Sequence, residues 1–192
     1  MTMADAGRVI AGTARGIRLA GPGAMTRPMG DRVKETLFAI LESDLRGAAF
    51  LDLFAGSGAA GIEALSRGAA SATFVERDVA AIKVIRANLE RARLGGPAAR
   101  LVNEEAVRWL ASPRRADDPR WDVAVVDPPY DRPDLLLAAL EGIGALVAPG
   151  GRVVAKHASQ VPPPAGIGLL ASERERRFGE TTLTFYRRVE DR

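Results

Sequence analysis

The chain has 192 residues, 47% of them hydrophobic, and a formal net charge of +3; it suits one soluble globular domain with a full core and is too short for two large ones. It has no cysteine and a single histidine, His157, which excludes disulfides, thiolate nucleophiles and any histidine-built metal centre. No segment reads as a signal peptide or a bilayer span, since the most apolar stretch, Leu135 to Val147, is interrupted by Glu141; a cytoplasmic, cofactor-dependent monomer is expected.

Positive charge is concentrated early. Arg8, Arg15, Arg18, Arg27, Arg32 and Lys34 precede Leu37, against Asp5, Asp31 and Glu35. Such a segment on a near-neutral body suits phosphate contact or a solubilising surface. Residues 1–30 are expected to form a basic appendage, with a hairpin from Arg8 to Gly12 and Gly16 to Leu19, leaving 31–192 as the main domain. Asp31 is expected to cap a helix whose Val33, Leu37, Ile40 and Leu41 form an apolar stripe.

From Ala49 onward short apolar runs alternate with amphipathic stretches, the signature of an α/β fold with a mostly parallel sheet. The expected strands are 50–54, 72–76, 100–102, 122–127 and 152–155. Helices are expected at 58–67, from Asp78 through Leu89, and from Asp134 to a stop at Pro149-Gly150-Gly151. Gly168 to Leu170 and Thr181 to Tyr186 read as two further strands joined around Phe178-Gly179, giving seven strands with an antiparallel C-terminal edge hairpin.

Two stretches carry chemistry. Asp52-Leu53-Phe54-Ala55-Gly56-Ser57-Gly58 places a carboxylate inside the first strand of the domain and two glycines in the turn after it, where backbone can approach a ligand. Gly56, Gly58 and Gly61 also spell G-x-G-x-x-G, with Glu76 ending the next strand, so a nicotinamide dinucleotide has to be weighed. Asp52 favours S-adenosylmethionine, because a carboxylate suits the ammonium of a methionine moiety and is a poor neighbour for a pyrophosphate. A tight turn without a ligand is the third reading. Glu76 is the candidate acceptor for both ribose hydroxyls, and the stretch through Glu104, Glu105 and Ala106 the candidate adenine side, with Glu105 foremost. Helix capping is the alternative for either glutamate of that stretch.

Asp127-Pro128-Pro129-Tyr130 ends the fourth strand, near the middle of the sheet and at the carboxyl edge where ligands bind in such folds. Successive prolines make a stiff turn without N–H donors. An exocyclic amine is a weak nucleophile because its lone pair is delocalised into the ring. The Asp127 carboxylate and the Pro128 carbonyl could hold its two N–H bonds, aim the lone pair and stabilise the charge that grows on nitrogen. Tyr130 could stack on the base, which structured nucleic acid would have to turn outward.

Together with Arg8 to Gly12, Arg27 to Phe38 and Gly61 to Gly68, these two motifs resemble the bacterial 16S rRNA guanine-N2 methyltransferase family (RsmD-like), from about Arg8 to Tyr186. The resemblance implies a class I, Rossmann-like methyltransferase domain that moves one methyl group from S-adenosylmethionine to N2 of a guanine in the 30S subunit or its assembly intermediate. It implies Asp52, Phe54, Gly56, Gly58, Glu76, Glu105 and Ala106 around the cofactor, and Asp127, Pro128, Pro129 and Tyr130 at the target base. Arg8, Arg15, Arg18, Arg27, Arg32 and Lys34 would face RNA. The chain departs from the family where Glu105 replaces a shorter Asp or Asn, and where Lys156 and His157 replace a frequent Glu; RNA phosphate and a solvated strand end are both open readings of that pair. Alternatives are an amino-methyltransferase acting on adenine N6 of DNA or on a protein glutamine, and a ribosome-assembly binding protein without catalysis.

Overall fold

Asn88 and Glu63, both fully buried polar side chains, organise the first half of the molecule. The computed structural model describes residues 4–23, 29–112 and 120–189, so the expectations on Arg27 and Pro28 lie outside the described residues. Two compact units emerge, Met1–Glu104 and Glu105–Arg192.

In the first unit, β1 (Ala4–Arg8) and β2 (Arg18–Gly21) pair antiparallel, with a turn-rich loop between them. The hairpin therefore flanks the segment expected to form it, and Val9 to Ile17 is loop. That loop is docked rather than free. Glu63 accepts the amides of Ile10 at 2.7 Å and Ala11 at 3.0 Å, and Ser66 donates to the Ala11 carbonyl at 2.6 Å. Gly12 lies so close that a Cβ there would stand 1.8 Å from the Ser66 carbonyl oxygen.

Helix α1 (Asp31–Leu45) buries Leu37, Phe38, Leu41 and Leu45. Its N-cap is Gly30, so Asp31 opens the helix instead of capping it; an acid in the first turn still complements the helix dipole. Strands β3 (Ala49–Leu53), β4 (Ser71–Glu76) and β5 (Ala99–Asn103) run parallel in the order β5-β4-β3. Helix α2 (Ala59–Ser66) is buried along its whole length. It packs on β4 so tightly that a Cβ on Gly61 would be 2.3 Å from Phe74 Cε1. Helix α3 (Val79–Ala92) starts as expected, with the Asp78 carboxylate accepting the Ala80 amide.

The second unit opens with α4 (Ala106–Leu110), an element the periodicity did not reveal. Strand β6 (Trp121–Val126) is apolar and buried except at Asp122. Trp109 and Trp121 pack with ring centroids 5.5 Å apart. Helix α5 (Pro133–Ile143) ends earlier than expected in a short 3-10 turn at Gly144–Leu146. The proline-glycine-glycine run does not stop that helix; it lies inside the long strand β7 (Val147–Ala158), where the register with β6 slips by a bulge.

Beyond it come β8 (Gly166–Ile167), β9 (Leu170–Phe178) and β10 (Thr181–Arg188). Strands β6 and β7 are parallel, while β7-β10, β10-β9 and β9-β8 are antiparallel. The expected edge hairpin is present, turning just after Phe178, but its outer strand begins at Leu170. The short β8 is the strand added to the expected seven. Among the described residues no helix is long and apolar enough to cross a membrane, and no group of side chains could hold a metal ion.

Candidate active site

The glycine turn after β3 is held in shape by two carboxylates. Asp52, 3% exposed, accepts the amide of Gly61 at 2.8 Å and so caps α2 from the neighbouring strand. Glu76, at the end of β4, accepts the Gly56 amide at 2.8 Å through Oε2 and the Asp78 amide at 2.9 Å through Oε1. Each oxygen thereby keeps a second acceptor direction, in a side chain whose orientation is already fixed.

The glycines divide their labour. Gly56 (φ +54°) has no atom within 4 Å of where a Cβ would stand, so its side of the turn is open to a ligand. Gly58 (φ +77°) faces inward, where a Cβ would meet Ile85 at 3.0 Å; it is glycine for backbone and packing reasons. Phe54, at φ +66°, adopts the left-handed region without that freedom, a strained position of the kind found at ligand-binding turns. The first unit thus brings Asp52, Phe54, Gly56, Gly58 and Glu76 together. An open glycine and an oriented carboxylate with spare acceptor positions could accept the methionine and ribose portions of S-adenosylmethionine. In the second unit Glu105 is the N-cap of α4, accepting the amides of Val107 at 3.2 Å and Arg108 at 2.8 Å, and Ala106 is buried. Glu105 thus caps the helix, one of the two readings left open for it.

The tetrad follows β6. The Pro129 carbonyl accepts the Arg132 amide at 3.0 Å and closes the turn, whereas the Pro128 carbonyl has no donor among the described residues. Tyr130 and Thr181 share a hydroxyl hydrogen bond of 2.7 Å, which pins the ring beside β10. Lys156 Nζ donates to Asp127 Oδ1 at 2.6 Å and lies 4.7 Å from the centroid of the Tyr130 ring. Burial pushes the Asp127 carboxyl above its ordinary value, and the Lys156 ammonium works against that rise. For Lys156, burial works against the charge, but Asp127 and Tyr130 outweigh it and hold the ammonium above its usual range. Beside these groups is a shallow surface cleft whose wall includes Pro128, Pro129, Tyr130, Leu136, Lys156 and Val161.

For Lys156 sequence reasoning offered an RNA phosphate contact or a solvated strand end; it is instead buried and paired with Asp127. Its signal was its place at the end of the strand beside the tetrad, legible only once the strand pairing is known. His157 points to the other face of β7, with ring nitrogens bonded to the Ala158 carbonyl and the Thr184 hydroxyl, each at 2.9 Å; it is a satisfied core residue.

The early cations separate into two kinds. Arg15 and Arg32 are exposed; Arg8 and Arg18 are exposed too, in surface ion pairs with Asp31 at 3.3 Å and Asp5 at 3.0 Å. Lys34 corrects the expectation that it faces RNA: it is fully buried, and its ammonium donates to the Arg8 carbonyl at 2.5 Å. Burial lowers its pKa, with Glu63 and Asp31 opposing.

The fold recurs in solved structures. The Escherichia coli protein yhhF superposes with a TM-score of 0.82 at 34% identity, over 95% of this chain and 97% of that one. A more distant structure, SMU.776 complexed with SAH, shares the fold at a TM-score of 0.70 and 17% identity, over 90% of this chain and 54% of that one. The fold and the glycine turn define a class I S-adenosylmethionine-dependent methyltransferase, and the nicotinamide alternative falls away. Residues 7–187 match the family described as conserved hypothetical protein 95, and the chain belongs to that family, the RsmD family. YlbH of Bacillus subtilis is 36% identical over 94% of this chain and 98% of its own length. The ribosomal RNA small subunit methyltransferase D of Escherichia coli K12 is 43% identical over 126 residues, 65% of this chain and 61% of that enzyme.

Proposed function

We propose that the protein transfers a methyl group from S-adenosylmethionine to the N2 amine of a guanine in 16S rRNA, with the 30S subunit or an assembly intermediate as substrate. The name carried by the Escherichia coli relative supports ribosomal RNA as the substrate class. The observation that carries the choice of base is the Asp127 carboxylate, paired with Lys156 and followed by the Pro128 carbonyl, which has no donor among the described residues.

An ionised carboxylate only accepts hydrogen bonds. Guanine presents N1–H beside its N2 amine, so two neighbouring donors meet the acceptor. Adenine presents the N1 lone pair beside N6, which a carboxylate would repel. The two acceptors hold the amine and stabilise the charge that grows on its nitrogen. Tyr130, fixed by Thr181, supplies a stacking face.

Asp52, Phe54, Gly56 and Gly58 would hold the methionine portion of the cofactor, Glu76 its ribose, and Glu105 with Ala106 the adenine side. When bound, the cofactor supplies a methyl group activated on a sulfonium. Arg8, Arg15, Arg18 and Arg32 would approach RNA phosphate, Arg8 and Arg18 by exchanging their surface carboxylates for it. Labelled cofactor should be offered to undermodified 30S particles, naked 16S RNA and duplex DNA. Label in N2-methylguanine of the small-subunit RNA is expected; label in DNA alone would overturn the reading.

A further inference from the structure

We infer that Lys156 is a positioning residue for Asp127: its ammonium engages one carboxylate oxygen and presents the other, ionised and fixed in direction, to the target amine. The inference rests on the amine-methylation reading above.

Lys156 is 7% exposed, belongs to the cleft wall and is held from two sides. One is Asp127 Oδ1, 2.6 Å away; the other is the ring of Tyr130, itself fixed to Thr181 on the adjoining strand. A buried ion pair is a poor source of stability, because the loss of hydration cancels much of the attraction. What it supplies is direction. A carboxylate with one oxygen occupied cannot rotate freely, and a single oxygen remains to act alongside the Pro128 carbonyl.

The cation also governs the charge of its partner. Burial favours the neutral acid at Asp127, and a protonated carboxyl would turn a donor toward an amine that needs acceptors. Among the described residues, Lys156 is the charged group that acts on Asp127, and others near the tetrad are engaged or turned away. Arg132 forms two bonds to Asp134, at 2.9 and 2.7 Å, Asp131 is exposed on the loop, and His157 lies on the opposite face of the strand. Lys156 is the group that opposes protonation of Asp127.

The test uses the full chain with Lys156→Met, and two readings. In the free protein, the Asp127 carboxyl is titrated by carbon NMR; the midpoint should move upward in the variant. In the methyl-transfer assay, the acid limb of kcat should move upward with it. Each unit by which the midpoint exceeds the assay pH removes about a factor of ten in ionised Asp127. Activity should return on the alkaline side, KM for the particle should hold, and Lys156→Arg should keep the wild-type limb. An unmoved carboxyl midpoint, or a kcat equal to or above wild type, overturns the proposal. So does a loss confined to KM with a changed salt dependence, which would make Lys156 a phosphate contact. Should Lys156→Met fail to fold, Lys156→Gln gives the same readings. If the wild-type protein methylates no ribosomal RNA, the reading of function fails, while the carboxyl titration still decides the role of Lys156.

Discussion

Asn88 and Ala20 are joined at two points: the Asn88 side chain accepts the Ala20 amide at 2.9 Å and donates to the Ala20 carbonyl at 2.8 Å. The same amide nitrogen donates to the Ser57 carbonyl at 3.0 Å, so one side chain on α3 ties the second hairpin strand to the glycine turn. Removing it strands both backbone groups of Ala20 in a dry interior. Asn88→Ala should cost about 2–4 kcal/mol, measured by urea denaturation.

Two glycines of the hairpin loop separate steric clash from backbone strain. Gly12 (φ +82°) and Gly16 (φ +85°) share a conformation, but only at Gly12 would a Cβ collide with backbone. Gly16→Ala should lose about 1 kcal/mol, the cost of a left-handed side chain. Gly12→Ala should lose more than about 3 kcal/mol or undock the loop, read by thermal denaturation and by exchange of the Ile10 and Ala11 amides.

Glu76→Gln keeps the shape of the side chain but replaces one acceptor with a donor that confronts the Gly56 or Asp78 amide. Its affinity for S-adenosylmethionine should fall about tenfold or more by calorimetry, equivalent to about 1.4 kcal/mol. A wild-type affinity in this variant would remove Glu76 from the cofactor site.

Tyr186 is fully buried, and its hydroxyl donates to the Pro164 carbonyl at 2.8 Å. Burial raises its pKa to about 12, with the Glu175 carboxylate adding to the rise. The folded state thus binds the phenolic proton more tightly than the unfolded chain, whose tyrosines titrate near about 10. Its contribution is whole below about pH 10 and is lost as the pH rises toward about 12. The fall in stability over that window should be steeper in wild type than in Tyr186→Phe, followed by chemical denaturation.

Exposed Arg15 and buried Lys34 should respond to substitution in different ways. If RNA runs along the hairpin, Arg15→Ala leaves stability unchanged and reduces the salt slope of RNA binding by about one phosphate contact. Lys34→Ala removes a buried stem and leaves the Arg8 carbonyl without its donor, so it should lower stability. A salt slope altered only by Lys34→Ala would reverse the assignment.

Much of the architecture was legible because parallel strands such as β6 are apolar along their length and their ends carry glycine, proline or a capping acid. The strand β9 was not, since its Glu173-Arg174-Glu175-Arg176-Arg177 run shows no hydrophobic alternation; as an outer strand it can carry charge on both faces. The reading of Lys34 failed because composition cannot tell a solvated lysine from one whose stem is buried and whose ammonium meets a carbonyl. Glu105 fell between two uses of the same chemistry, as a carboxylate that accepts amides can cap a helix or bind a ligand. The tetrad announced itself in four consecutive residues. Its partner Lys156 is 29 residues further along and meets Asp127 only through strand pairing.

Helix α2 is fastened at both ends, to Asp52 through Gly61 near its start and to the hairpin loop through Glu63 and Ser66 near its finish. The loop's position is therefore set not only by its own strands but by a helix more than 50 residues later in the chain. Anyone wishing to transplant the basic hairpin onto a related scaffold would have to move α2 with it. The portable piece is discontinuous in sequence, and a graft cut at the end of the hairpin would arrive without its anchor.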